Sequence, residues 1–167
     1  MSKVDFLSLR YRVEPEHYEL LCGIVDGEND TPAYTTTDEN IRWNATIVNR
    51  EGYMFEFVPI DYNIIIYKSN GVDKEESCDG MLLVGEKRMI AFVELKDRRH
   101  GANSSAIKQL KNTIRHFLSE NVYTDFKIRR AYIANREFPH FNYNMKDEME
   151  QFRKLHFVLY PEATIII

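Results

Sequence analysis

Two apolar runs separated by four residues constrain this chain more than any other feature. Asp79-Gly80-Met81-Leu82-Leu83-Val84 and Met89-Ile90-Ala91-Phe92-Val93-Glu94-Leu95 flank Gly85-Glu86-Lys87-Arg88. Short apolar runs joined by a short polar connection predict a β-hairpin. The second run stays apolar until it ends in Glu94 and Lys96. An apolar run of this kind predicts a buried strand. Charged groups at the end of such a strand are costly to bury unless they are paired or bind an ion.

Strand geometry predicts how these charges meet. Side chains two apart share a face, so Glu94 and Lys96 project together. A turn centred near residues 86–87 places Asp79, at the start of the first strand, opposite Glu94, near the end of the second. Two carboxylates and one ammonium then converge on one patch of sheet. Hard divalent cations such as Mg²⁺ take one or two carboxylates and leave other positions to water and phosphate. A lysine beside such an ion can orient a water for attack. The plainer alternative is a surface ion pair at a strand end, with Asp79 a turn residue. A bare acid-x-Lys triplet decides nothing, since Asp125-Phe126-Lys127 also has one.

The surrounding sequence supplies further elements. A helix is expected over 38–49, with Thr37 as cap and Ile41, Ala45 and Val48 as its apolar stripe. Tyr53–Ile60 reads as extended, with Pro59 marking an edge or a break. Ile64–Lys68 reads as a short strand followed by a Ser69-Asn70-Gly71 turn. An amphipathic helix capped by Ser104 or Ser105 runs to about Glu120, burying Ile107, Leu110, Ile114, Phe117 and Leu118. Lys108, Lys111 and Arg115 form a basic ridge beside that stripe. Lys127–Asn135 is expected as a strand. Met145–His156 is expected as a helix with Asn144 as cap and Met145, Met149 and Phe152 inward. Phe157–Tyr160 and Thr164–Ile167 are terminal strands.

Asp79 and Glu94-Leu95-Lys96, set between a leading and a following helix, resemble the PD-(D/E)xK nuclease superfamily. The resemblance covers residues 38–135 and implies an α/β restriction-endonuclease-like core of order α-β-β-β-α-β. Length predicts a single domain, in which residues 1–36 are an N-terminal extension and 136–167 a C-terminal helix and strand around that core. The resemblance also implies Asp79 and Glu94 as ligands of Mg²⁺ or Mn²⁺ and Lys96 as the residue that positions the attacking water. Gln109 stands where many members carry a supporting Gln, and Glu39 is the candidate acid of the first helix. Arg98, Arg99, Lys108, Lys111 and Arg115 would contact a nucleic acid, DNA being the first expectation. A second copy would serve a domain that cuts two strands. The chain departs from the family in two places: Cys78 precedes Asp79 where Pro is frequent, and Thr113 stands where one branch has Tyr.

Charge distribution is compatible with such a substrate without requiring it. The net charge of −4 is unevenly spread. Residues 1–86 carry 7 basic and 17 acidic side chains, while residues 87–136 carry 12 and 4. The basic segment is either a polyanion footprint or a counterweight to the acidic half. With 44% hydrophobic residues the chain is globular in composition. The two cysteines make neither a disulfide framework nor a zinc site, no span or signal sequence is seen, and a cytoplasmic protein is expected. Two further readings fit the same residues. The domain is either an inactive nuclease-fold module for nucleic-acid binding or protein interaction, or an unrelated α/β domain.

Overall fold

The computed structural model describes residues 3–97, 102–136 and 145–167, except for the side chains of residues 102 and 103. Two sheets and two helices form three layers. The larger sheet is ordered β4-β5-β6-β7-β8 and comprises β4 (Phe55–Pro59), β5 (Gly80–Val84), β6 (Met89–Lys96), β7 (Ile128–Asn135) and β8 (Val158–Tyr160). The smaller is ordered β2-β1-β3-β9 and comprises β1 (Leu21–Val25), β2 (Tyr34–Thr36), β3 (Ala45–Val48) and β9 (Thr164–Ile166). Helices α1 (Ala102–Glu120) and α2 (Lys146–Lys154) complete the chain.

β4, β5 and β6 form an antiparallel meander, and β7 and β8 continue it in parallel. Parallel neighbours need a crossover, and α1 supplies the one between β6 and β7. The alternation along β6 explains the layers. Ile90 and Phe92 face a core shared with Leu110, Ile114 and Phe117 of α1, Phe152 beside them, and Phe6 from the N-terminal segment. Met89, Ala91, Val93 and Leu95 face a second core shared with Cys22, Ile24, Ala45, Ile47 and Ile165 of the smaller sheet. The strand is thus buried on both faces, as its unbroken apolar run requires.

Pro59 ends β4 at the edge of its sheet, where a missing N–H costs no ladder bond. Gly80 is required by crowding: a Cβ there would lie 2.3 Å from Phe57 Cζ. Gly80→Ala is expected to cost about 1–3 kcal/mol by overpacking and to displace the adjacent Asp79. A urea unfolding curve measures the first effect.

Several expectations are corrected. Residues 38–49 form no helix. Asp38 Oδ1 accepts the Asn40 N–H at 2.9 Å, closing a turn instead. Ala45–Val48 then pairs with β1 on one side and β9 on the other, a placement suited to the β-branched Thr46, Ile47 and Val48. The leading helix of the expected core is therefore absent, and that face of the larger sheet is covered by the smaller one. Residues 21–25 and 34–36, read from sequence as part of an extension, are strands of that sheet.

Ile64–Lys68 is not a strand. Ile64 and Ile66 are buried, but the segment makes only the isolated Tyr67–Lys74 bridge after a turn in which the Ile64 N–H bonds Ile60 O at 2.8 Å. α1 begins before Ser104 and Ser105, so neither is its cap. α2 starts after Met145 and ends at Lys154, and Met149 is exposed rather than inward. Asn144 lies outside the described residues.

Candidate active site

The register of the hairpin places the acids. Gly80 pairs with Val93, so Asp79 and Glu94 are the next pair along the same ladder. Directly opposite side chains in a sheet have Cβ atoms about 4.5–5.5 Å apart. Asp79 and Glu94 project to the α1 side, continuing the Met81/Leu83 and Ile90/Phe92 faces. Lys96 lies two residues beyond Glu94 on the same face.

Asp79 is held from three sides. Its Oδ2 accepts the Leu95 N–H at 2.6 Å, and its carbonyl accepts the Ile60 N–H at 2.8 Å. Helix α1 fastens the two residues before it. Thr113 Oγ1 accepts the Cys78 N–H at 2.9 Å while donating to Gln109 O, and Gln109 Nε2 donates to Ser77 O at 3.3 Å. Thr113, fully buried, thus ties the segment before Asp79 to α1, and the larger Tyr would not fit in the same space.

Lys96 is equally fixed. Its Nζ lies 2.8 Å from Glu94 Oε1 and donates to Gln109 Oε1 at 3.1 Å. Ser105 Oγ donates to the same Gln109 oxygen. Glu94 is only 2% exposed, and its second oxygen, Oε2, is buried without a hydrogen bond. A sealed carboxylate with an unused oxygen is expensive to maintain.

Electrostatics show the same tension. Burial, and then the neighbouring Asp79 carboxylate, push the Glu94 carboxyl well above the usual carboxylate range, against the pull of Lys96 and the weaker pull of the Asp79 backbone N–H, which makes no full hydrogen bond to Oε2. Burial raises Asp79 to about 7, opposed chiefly by the Leu95 N–H. Asp26 and Asp61 add to the rise. Sequence reading did not pick out either residue. Asp26 follows the apolar run Cys22–Val25 as Glu94 follows Ile90–Val93, so an acid closing an apolar strand was the available signal.

Asp79 binds its proton more tightly folded than unfolded. Its contribution is therefore stabilising at low pH and is lost as pH rises from about 4 through 7. Asp79 keeps a small exposed edge, so water screens part of the cost. Asp79→Asn, which retains an acceptor for the Leu95 N–H, is expected to be more stable than wild type by about 2 kcal/mol at pH 8 in EDTA and to lose that advantage by pH 4. Thermal melts across this range measure it.

The pair fits a hard dication. Asp79 and Glu94 supply oxygen ligands, the unused Glu94 oxygen needs a positive partner, and an ion would relieve the repulsion between the acids. Among the described residues no three His, Cys, Asp or Glu side chains gather to hold a metal. Two carboxylates with the other positions left to water match Mg²⁺.

The other sequence candidates lie elsewhere. Glu39 sits in an exposed turn, not on a helix. Lys108 pairs with Glu76 at 2.9 Å, Lys111 donates to Gln151, and Arg115 is exposed. Arg129 donates to Phe126 and His156 carbonyls, and Arg130 to Ile166 O. Much of the basic segment is thus engaged within the fold. Arg98 and Arg99 lie outside the described residues. No helix among the described residues is long and apolar enough to cross a membrane. Comparison of the chain with protein-family models, curated proteins and solved structures finds no match.

Proposed function

We propose that the chain is a metal-dependent nuclease that hydrolyses phosphodiester bonds, with a restriction-endonuclease-like core reduced to β4-β5-β6-α1-β7. The observation that carries this reading is the Asp79–Glu94 pair, in which the sealed Glu94 leaves one oxygen orphaned beside a fixed lysine. The meander followed by a helical crossover to a parallel strand supports it, as five of the six elements implied by the family resemblance.

Asp79 and Glu94 would hold Mg²⁺ or Mn²⁺, which when bound lowers the pKa of coordinated water and offsets charge growing on phosphate. Lys96 Nζ orients the attacking water. Gln109 keeps that ammonium aimed by accepting a hydrogen bond from it, and Ser105 steadies Gln109. Thr113 and Gln109 together fix the backbone that presents Asp79. The smaller sheet replaces a leading helix as the support behind the hairpin.

The Glu94–Lys96 ion pair also suits an inactive binding module, in which the charges only neutralise each other. The raised Asp79 carboxyl and the unused Glu94 oxygen favour the catalytic reading. The test is hydrolysis of linear, single-stranded and branched DNA, and of RNA, with Mg²⁺ or Mn²⁺. Wild type is expected to cut at least one of these only with metal, and Asp79→Asn to cut none. Nucleic-acid binding that leaves every substrate intact would favour the binding module.

A further inference from the structure

Chemistry of a different kind gathers on the outer face of the smaller sheet. Cys22 and Ile24 of β1 point into the core, so Leu21 and Gly23 face outward. Leu21 pairs with Val48 of β3, and Val48 with Ile166 of β9, which sets an apolar row across that face. No outward side chain of the four strands is charged. Trp43 lies on the same face. A Cβ at Gly23 would fall 2.2 Å from Trp43 Cγ, 2.2 Å from Cδ2 and 2.5 Å from Cδ1. Near-equal distances to three ring atoms place Gly23 under the flat of the indole, and only glycine leaves room there. Trp43 Nε1 donates to Asp38 O at 3.0 Å, which fixes the ring in its plane. The other flat of the indole is turned away from the sheet.

Leu21, Trp43, Ile41 and Glu39 line a cavity of about 260 Å³ on this face. Its size and charge select what it takes. Sites for free small molecules run to about 300–1,000 Å³, so this one suits a single side chain. Its charge is the exposed Glu39 carboxylate, which has no basic partner among the described residues, and no cation there stacks on Trp43. Arg42, the nearest cation in the chain, lines a separate cavity beside Asp26. An indole face, a carboxylate and two aliphatic side chains together match arginine. Its guanidinium stacks on the indole and donates through its fork to the carboxylate, while its stem runs along Leu21 and Ile41. A phosphate would meet Glu39 unfavourably. A second copy would bring the same acidic half, with 17 acidic and 7 basic side chains in residues 1–86, so charge favours a basic partner over self-association.

We propose that this cavity docks a protein partner through an arginine set among apolar residues. The guanidinium sits between Trp43 and Glu39, and the flanking residues lie on the Leu21–Val48–Ile166 row. Glu39 then serves recognition rather than the chemistry at Asp79 and Glu94, and the docking is independent of the nuclease reading.

Trp43 is the one tryptophan of the chain, so selectively excited indole fluorescence reads this site. The test is a titration of the full chain with a capped Leu-Arg-Leu tripeptide. A saturable change is expected, with a dissociation constant on the order of millimolar that rises with salt. The same tripeptide with citrulline, which keeps the shape and removes the charge, is expected to bind about fivefold more weakly. Glu39→Gln is expected to weaken the arginine tripeptide about fivefold. Ile41→Lys, which sets a competing ammonium in the wall, is expected to abolish saturation. Both substitutions fall at exposed positions and leave the core intact. No saturation by the arginine tripeptide, equal affinity for the citrulline form, or affinity unchanged in both variants would overturn the proposal. So would a fluorescence change that follows protein concentration alone, which assigns the face to a second copy. A saturable change with single-stranded DNA in place of the peptide would overturn it too, by assigning Trp43 to base stacking.

Discussion

Lys96→Met is expected to lower the hydrolysis rate by about 10²–10⁴-fold, the range associated with a positioned proton-transfer or charge-stabilising group. Met keeps the apolar stem that packs at the strand end and removes only the ammonium. Glu94 then loses its 2.8 Å partner, so its carboxyl is driven further upward and the pH–rate profile shifts to higher pH. Lys96→Arg is not expected to rescue the rate. The guanidinium is planar and broader, and it cannot occupy the position fixed by Glu94 Oε1 and Gln109 Oε1 as a compact donor does. Gln109→Ala is expected to have a smaller effect, because Lys96 keeps its bond to Glu94. Single-turnover rates at saturating metal separate these cases. A Lys96→Met protein as active as wild type would remove the lysine from the chemistry.

Phe117→Ala is expected to destabilise the fold by about 3–5 kcal/mol, the largest stability effect of any single change considered. Phe117 is fully buried in α1 and meets Phe6, Phe92, Phe126 and Phe157, with ring centroids 5.4–6.4 Å away. It therefore joins the N-terminal segment, β6, the segment before β7 and the residue before β8. Truncation leaves a cavity bounded by those four parts of the chain and α1 itself, which cannot all move inward together. Because α1 also clamps Ser77 and Cys78 ahead of Asp79, the variant is expected to lose activity at temperatures where wild type is intact. Chemical denaturation gives the free energy, and a loss below about 1 kcal/mol would show that the core collapses around the site.

The parts of this fold legible in the sequence are those fixed by local periodicity. The β5–β6 hairpin is written in two apolar runs and a four-residue connection, and α1 in the spacing of Leu110, Ile114 and Phe117. Of the smaller sheet only the terminal strand at Thr164–Ile166 was legible, because the sheet depends on a non-local pairing that sets Ile47 beside Ile165 from the far end of the chain. Ile41, Ala45 and Val48 match a helical spacing by coincidence. Their segment is a turn and a strand, since β1 and β9 offer it two ladders and Asp38 closes a turn before it.

The site divides in the same way. Asp79, Glu94 and Lys96 were readable because a period of two and a hairpin register determine which side chains face each other. The clamp by Thr113 and Gln109 depends on how α1 packs, and the proximity of Asp26 depends on how two sheets stack. Neither leaves a mark in local sequence. The charge asymmetry read from composition resolves mainly into internal contacts, such as Lys108 with Glu76 and Arg129 with backbone carbonyls.

The central claim is that the Asp79–Glu94 pair exists to hold a divalent cation. Calorimetric titration with Mn²⁺ at pH 7, repeated in buffers of different ionisation enthalpy, tests it most directly. The account predicts binding of the ion with release of protons from the acid pair, since ligating carboxylates must be ionised, and loss of both in Asp79→Asn. Absence of binding, or binding unchanged in Asp79→Asn, would contradict it.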